Sequence, residues 1–152
     1  MSNLHRFATA ALIPLLASCA GHVDRRAIVH DEQVFGTWTT STGARFTLKA
    51  DRTFTSQGLH LDPSLAEGCP SGEARGDWGF YVDAGKPGDL SIVSTTARSG
   101  DTIGVTFNEI PQGDCIISLT FLENQKFCIS VDPDEVCTFS DRFTRISPEV
   151  KE

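Results

Sequence analysis

Residues 101–131, DTIGVTFNEIPQGDCIISLTFLENQKFCISV, decide the fold class of this chain. Apolar side chains alternate with polar or small ones in three short runs, whose apolar positions are Ile103, Val105 and Phe107, then Ile117, Leu119 and Phe121, and last Phe127, Ile129 and Val131. A period of two places the apolar side chains of each run on one face of a β-strand. The stretch therefore predicts three antiparallel strands with one face buried and the other in water.

The same pattern extends in both directions from this stretch. Further candidate strands lie at residues 34–40, 44–49, 53–56, 77–82 and 90–95, and Cys137, Phe139 and Phe143 close the series. No window after residue 20 keeps an apolar period of 3.6 over three turns, which argues against a long amphipathic helix. Strands that arrive roughly every eight to twelve residues predict a sandwich or a barrel. A barrel is favoured because closure removes exposed strand edges.

These patterns predict one all-β domain at residues 34–146, a small antiparallel meander or barrel of about eight strands, with a polar tail at residues 147–152. Its longest irregular stretch, residues 58–76, is expected to be a loop that Cys69 fastens to the body. Trp38 and Trp78 each follow a Gly-x pair at a strand start. A tryptophan in that position can plug one end of a barrel.

The first part of the chain has the features of an export signal. His5 and Arg6 precede a mostly apolar run at residues 7–16 that is too short to span a bilayer. The sequence Leu16-Ala17-Ser18-Cys19 that follows resembles the lipobox of bacterial lipoproteins, which implies cleavage before Cys19 and a diacylglycerol on its thiol. An ordinary signal peptide or a buried helix is the alternative.

This resemblance predicts an address for the protein. We expect a lipoprotein signal peptide at residues 1–18, a lipidated flexible tether at residues 19–33, and a place on the bacterial cell envelope, anchored to a membrane through the N-terminal lipid. The formal net charge of −7 disfavours binding to nucleic acid or to anionic lipid headgroups.

Four cysteines remain once Cys19 is assigned to lipidation: Cys69, Cys115, Cys128 and Cys137. An even number in a small exported domain predicts two disulfides, with three possible connectivities. We prefer Cys128 with Cys137, which would join the two sides of a hairpin across residues 131–134, and this leaves Cys69 with Cys115 by elimination. No Cys-x-x-Cys is present, and we expect neither a metal nor a cofactor.

Several short motifs carry a resemblance to a known family. They are Gly36-Thr37-Trp38, the stretch FTLKADRTFT at residues 46–55, Cys69, Gly76-Asp77-Trp78, and Asp132-Pro133-Asp134 ahead of Phe139. In this order they are similar to a family of bacterial lipoproteins of unknown activity that is common in actinobacteria. The resemblance implies an envelope address and a small β fold. Arg52 departs from the family's usual Gly, which questions a turn with positive φ there. A weaker similarity, the Gly-x-Trp of the first strand, is to lipocalins.

Two groups of polar residues have side chains that could carry chemistry. His60, Asp62 and Ser64 could place a carboxylate, an imidazole and a hydroxyl together, but no motif of a known hydrolase accompanies them, so a loop histidine is favoured and no catalytic residue is predicted. The acidic stretch Asp132, Asp134 and Glu135 could offer oxygen ligands to calcium, but Asp-Pro-Asp is typical of a turn, and the turn is favoured.

The aromatic side chains could either line a ligand cavity or fill the barrel, and a filled core is favoured. The function that we expect is a lipid-anchored envelope lipoprotein acting as a non-catalytic binding or interaction module. Its partner would be an envelope protein or a small apolar ligand. A protease inhibitor that uses residues 20–33 as a flexible terminus, or an envelope-stabilising lipoprotein, is the alternative, and a hydrolase is a remote one.

Overall fold

The computed structural model describes residues 23–83 and 91–147. The expected signal peptide and Cys19 lie outside these residues, as does nearly all of the expected polar tail. The elements of the described chain are, in order, β1 (Val29–His30), α1 (Asp31–Val34), β2 (Gly36–Thr39), β3 (Arg45–Leu48), β4 (Thr53–Leu59), β5 (Gly72–Asp83), β6 (Ser91–Ser94), β7 (Ser99–Gly100), β8 (Thr102–Phe107), β9 (Ile117–Leu122), β10 (Lys126–Ser130) and β11 (Phe143–Arg145).

Eight of these strands close into an antiparallel barrel. The order around the barrel is β2, β3, β4, β5, β8, β9, β10 and β11, and β11 pairs with β2 to complete the ring. Barrel neighbours are therefore also neighbours along the chain, apart from β6 and β7. The predicted all-β meander closed into a barrel is confirmed. β6 pairs with the far end of β5, and β7 pairs with β1 outside the barrel.

The two ends of the barrel differ in their connections. The short β3–β4 and β9–β10 turns lie at one end together with α1, and we call it the α1 end. The β2–β3 turn and the connections at residues 60–71, 108–116 and 131–142 leave the barrel at the other end, which we call the loop end. The alternation of strand direction in an antiparallel meander fixes this division.

Aromatic rings occupy the barrel interior. The rings of Phe127 and Phe143 stack with centroids 4.6 Å apart, and Trp38 lies 5.2 Å from Phe127. Phe54 and Phe107 meet edge to face at 5.4 Å, a preferred geometry for aromatic pairs. All five side chains are fully or almost fully buried. The rings thus pack against one another across the barrel, in agreement with the favoured filled core.

The outer faces of β9 and β10 are also buried, which differs from our expectation of one wet face. Ser118, Thr120, Cys128 and Ser130 alternate with the core residues of these strands and are fully buried. The cover is a layer made by residues 23–27 and by the 131–142 connection, whereas the hydroxyl of Ser118 meets that of Tyr81. Arg26 joins the two parts of this layer, because its guanidinium donates to carbonyls in that connection.

The chain before the first barrel strand is bound to the barrel. We call residues 23–34 the strap. The N–H of Ala27 donates to the carbonyl of Phe121 at 2.9 Å, and the carbonyl of Arg25 accepts from Glu123 at 3.0 Å. β1 and α1 follow, and Val34 is fully buried. The part of the expected tether that the structure describes therefore packs on the barrel, because its backbone and charged side chains find partners there.

Other differences concern strand boundaries. β4 continues to Leu59 and β5 begins at Gly72, so the long loop expected at residues 58–76 shortens to residues 60–71. The last strand is β11, and the expected strand positions Cys137 and Phe139 lie in the connection before it. β6 exposes both Ile92 and Val93, because it lies beyond the closed barrel and has the core on neither side.

Candidate functional site: a cleft at the loop end

The loop end is closed on one side by a lid, the connection at residues 60–71. Ala66 turns inward and is buried against the core. The Cys69–Cys115 disulfide fastens the lid to the 108–116 connection. Gly68 has a φ of +77°, and a Cβ there would lie 2.4 Å from the carbonyl oxygen of Asp114, so glycine permits this close contact. The lid is therefore held to its neighbour at two adjacent points.

A cleft of about 400 Å³ opens between this lid and residues 139–143. Its floor is formed by core side chains, namely Ala44, Leu59, Ile129 and Phe143. Its rim carries His60, Asp62, Ser140 and Asp141. Apolar surface below and polar groups at the mouth are the usual composition of a ligand site, and the volume falls in the usual range.

The wall at residues 139–141 is fixed from behind by Arg142. One Nη of its guanidinium donates to the carbonyls of Phe139, Ser140 and Asp141 at 2.8, 2.9 and 3.1 Å. The other Nη donates to Asp24 of the strap at 2.6 Å. The strap thereby supports the cleft wall. No local pattern marks Arg142 in the sequence, because its partner in the strap is 118 residues away.

The Cys128–Cys137 disulfide holds the same wall to β10. The N–H groups of Thr138 and Phe139 both donate to the carbonyl of Ile129 at 3.2 Å, which continues the attachment. Both disulfides join the pairs that we preferred from the sequence.

The candidate relay of His60, Asp62 and Ser64 takes a different form. Asp62 Oδ1 accepts from the N–H of Ser64 at 2.9 Å and from its hydroxyl at 2.7 Å. These bonds lower the pKa of Asp62, the hydroxyl contributing most. Among the side-chain hydrogen bonds of the described residues, none joins His60 to either partner. Asp62 shapes a turn at the cleft rim and does not orient the imidazole.

The acidic stretch Asp132, Asp134 and Glu135 forms the predicted turn. Asp132 Oδ1 accepts from the N–H of Asp134 at 2.8 Å, and Glu135 accepts from the hydroxyl of Thr138 at 2.6 Å. Within residues 23–83 and 91–147, no group of three or more histidine, cysteine or acidic side chains could hold a metal ion.

Charge is distributed unevenly between the two ends. The three long connections of the loop end contain eight acidic residues and a single basic one, Arg142; the acidic residues are Asp62, Glu67, Glu109, Asp114, Asp132, Asp134, Glu135 and Asp141. The strap and the turns of the α1 end instead mix acidic and basic side chains. The loop end therefore carries much of the protein's negative charge.

A second cleft, of about 350 Å³, lies on the outer wall between β4 and β5. It is lined by Thr55, Gln57 and Glu73, with the exposed ion pair of Arg75 and Glu109 beside it. Ser56 and Ala74 also line it, but no large apolar core side chain does, which makes it a weaker candidate than the loop-end cleft.

Comparison with protein-family models, with curated proteins and with solved structures found no match to this chain. In the part of the chain that the structure describes, no helix is long and apolar enough to cross a membrane.

Proposed function

We propose that the protein is a lipid-anchored lipoprotein of the bacterial envelope that acts as a non-catalytic binding module and uses the loop-end cleft as its binding site. The observation that carries the binding role is the cleft itself, whose apolar floor and polar mouth are held rigid by two disulfides and by Arg142. A preorganised site loses little conformational entropy on binding.

The anchoring part of the proposal rests on the lipobox-like sequence Leu16-Ala17-Ser18-Cys19. Two or three acyl chains make a stable anchor, since each buried methylene contributes about 0.8 kcal/mol. The strap meets the barrel beside the β9–β10 turn, at the α1 end. A lipid on Cys19 would thus lie near the end opposite the cleft, which leaves the cleft open to a partner.

Anchoring is tested by growing cells on radiolabelled palmitate. Label should enter the wild-type protein and should be lost in Cys19→Ala, which should also leave the membrane fraction. Ser18→Ala is the matched control, because it keeps a small residue before the cysteine and should be labelled normally. Equal membrane retention of Cys19→Ala would refute the anchor.

Binding is tested by blocking the cleft. Ser140→Trp places a bulky side chain at the rim, and Glu73→Trp places the same side chain on the outer wall as a control. Wild type and Glu73→Trp, incubated with envelope extract and analysed by native mass spectrometry, should retain a ligand or protein that Ser140→Trp loses. Absence of any ligand or partner, or equal retention by all three, would contradict the proposal.

The inhibitor alternative requires residues 20–33 to act as a free arm. The structure favours it less, because from Asp24 onward these residues are engaged by the barrel and by the 131–142 connection. An inhibitory arm would have to break the 2.6 Å contact of Asp24 with Arg142 and the main-chain bonds to Phe121 and Glu123.

A further inference from the structure

The size and floor of the loop-end cleft limit what can occupy it. A volume of about 400 Å³ holds one or two bulky side chains. The deepest surface comes from Leu59, Ile129 and Phe143, which belong to the barrel core. Burial of an apolar group against such a surface contributes about 25 cal/mol per Å² of apolar area. An apolar side chain, and not a polar one, fits the bottom of the cleft.

The mouth of the cleft has two carboxylates, one on each side. Asp62 lies on the lid side and is fixed by its two bonds from Ser64, which leave its second oxygen free to accept. Asp141 lies on the opposite wall, where Arg142 engages its main-chain carbonyl and the Asp24 carboxylate, not the Asp141 side chain. His60 also lies on this rim.

The surroundings extend this negative charge. The other acidic residues of the three long connections belong to the same end of the barrel but lie outside the cleft lining, and the guanidinium of Arg142 is occupied by the wall carbonyls and Asp24. An electrostatic field of one sign attracts ligands of the opposite charge and repels ligands of the same charge. Salt weakens both effects. Anionic ligands are therefore disfavoured at this mouth.

We infer that the cleft binds a cationic, amphipathic peptide segment of a partner protein, which inserts one bulky apolar side chain and places flanking lysine or arginine side chains against Asp62 and Asp141. This inference rests on the proposed function and names its ligand class. It stands on the shape of the cleft together with the charge at its mouth.

The test uses the purified full chain, as the cell processes it, in mild detergent, with ¹⁵N-labelled protein and three acetylated, amidated peptides. Their sequences are Gly-Lys-Phe-Lys-Gly, Gly-Glu-Phe-Glu-Gly and Gly-Lys-Ala-Lys-Gly. Only the first should shift the amide resonances of residues 59–62 and 139–141 with saturation. The affinity of this peptide should fall about tenfold in Asp62→Asn/Asp141→Asn and also at high salt.

Asparagine can still accept the bonds from Ser64, so the double variant should keep its fold, which a dispersed spectrum verifies. Asp114→Asn/Asp134→Asn removes the same charge outside the cleft and should change the affinity less than twofold. Equal binding of the lysine and glutamate peptides, binding without phenylalanine, or no binding would overturn this inference. If Ser140→Trp still loses a partner in those cases, the binding function stands and only its ligand class is wrong.

Discussion

Arg52 shows how one residue closes the α1 end. It has a φ of +69°, a conformation that costs a non-glycine residue roughly 1 kcal/mol or more. Its side chain lies over the Trp78 ring at 4.2 Å, pairs with Asp31 at 3.2 Å and donates to the carbonyl of Ala97 at 2.7 Å. These contacts offset the backbone cost. The turn therefore has a positive φ although Arg52 stands where the similar lipoprotein family usually has glycine.

Substitution Arg52→Gly should therefore destabilise the protein even though it relieves the backbone. We expect a net loss of about 2–4 kcal/mol, because Asp31 would lose its buried partner. Arg98 binds the same carboxylate at 2.8 Å, but its side chain is 84% exposed against 14% for Arg52. Arg98→Ala should cost less than about 1 kcal/mol and is the control. Urea denaturation measures both, and a stability of Arg52→Gly equal to wild type would contradict this account.

Asp51 gives the β3–β4 turn a pH dependence. Its Oδ1 accepts from the hydroxyl of Thr53 at 2.6 Å and from its N–H at 3.0 Å, which lowers the pKa of Asp51 below 3.8, with the hydroxyl as the main cause. A pKa lowered by folding contributes stability that is present above the unfolded value and is lost as the pH falls through the folded value.

The stability difference between wild type and Asp51→Ala should accordingly be present at pH 7 and should shrink as the pH falls below 3.8. Urea midpoints at pH 7 and pH 3 measure it. Thr53→Val keeps the shape of the side chain, removes the hydroxyl donor, and should weaken the same dependence. A difference that stays constant with pH would show that the carboxylate does not act through its charge.

At the scale of elements, the sequence predicted the barrel because its strands keep a strict period of two around the core. It did not predict the buried outer faces of β9 and β10, since Ser118, Thr120 and Ser130 are residues typical of a wet surface. Their cover comes from the 131–142 connection, from Tyr81 and from the strap, and the strap and Tyr81 are distant from these strands in sequence. Ile92 and Val93 are the opposite case: their apolar side chains suggest burial, but both are exposed. Local patterns report alternation, but not which long-range segment covers a face.

The cleft likewise could not be predicted from local sequence patterns. Its lining comes from the β2–β3 turn, from the start of the 60–71 connection and from the end of the 131–142 connection, which are far apart in sequence, and its support depends on the pair of Asp24 and Arg142. The cysteine count was more informative, because the disulfide pairing that it led us to prefer joins the 60–71 connection to the 108–116 connection through Cys69 and Cys115. At the loop end, the cysteines therefore predicted which connections lie together, whereas the rest of the loop sequences did not.

The two disulfides should stabilise the protein unequally. They close loops with sequence separations of 46 for Cys69–Cys115 and 9 for Cys128–Cys137. The chain-entropy estimate gives about 4 kcal/mol for the longer loop and about 2.6 kcal/mol for the shorter. Double substitution of each pair by alanine, followed by guanidinium denaturation, measures both losses. A larger loss for the Cys128–Cys137 variant would show that contacts of the cleft wall, not loop closure, dominate.

For the whole molecule, the strap links the proposed anchor to the orientation of the barrel. The structure describes main-chain attachment from Arg25 onward, and Asp24 already contacts Arg142. Four residue steps separate Cys19 from Val23, a reach of at most about 14 Å even when fully extended. A barrel anchored through Cys19 would therefore sit close to the bilayer with its α1 end nearer the lipid, and the acidic loop end would face away from anionic headgroups.

This orientation predicts unequal quenching by nitroxide-labelled lipids. Ile28 of the strap is 75% exposed and Leu65 of the lid is 51% exposed, so each can be replaced by a fluorescent non-natural residue without disturbing the core. In vesicles carrying the lipidated protein, the probe at residue 28 should be quenched clearly more than the probe at residue 65. The Cys19→Ala form of each labelled protein, added to the same vesicles, gives the baseline. Equal quenching of the two probes would mean that the strap releases from the barrel, because a free strap would let the acidic end approach the membrane as often as the α1 end.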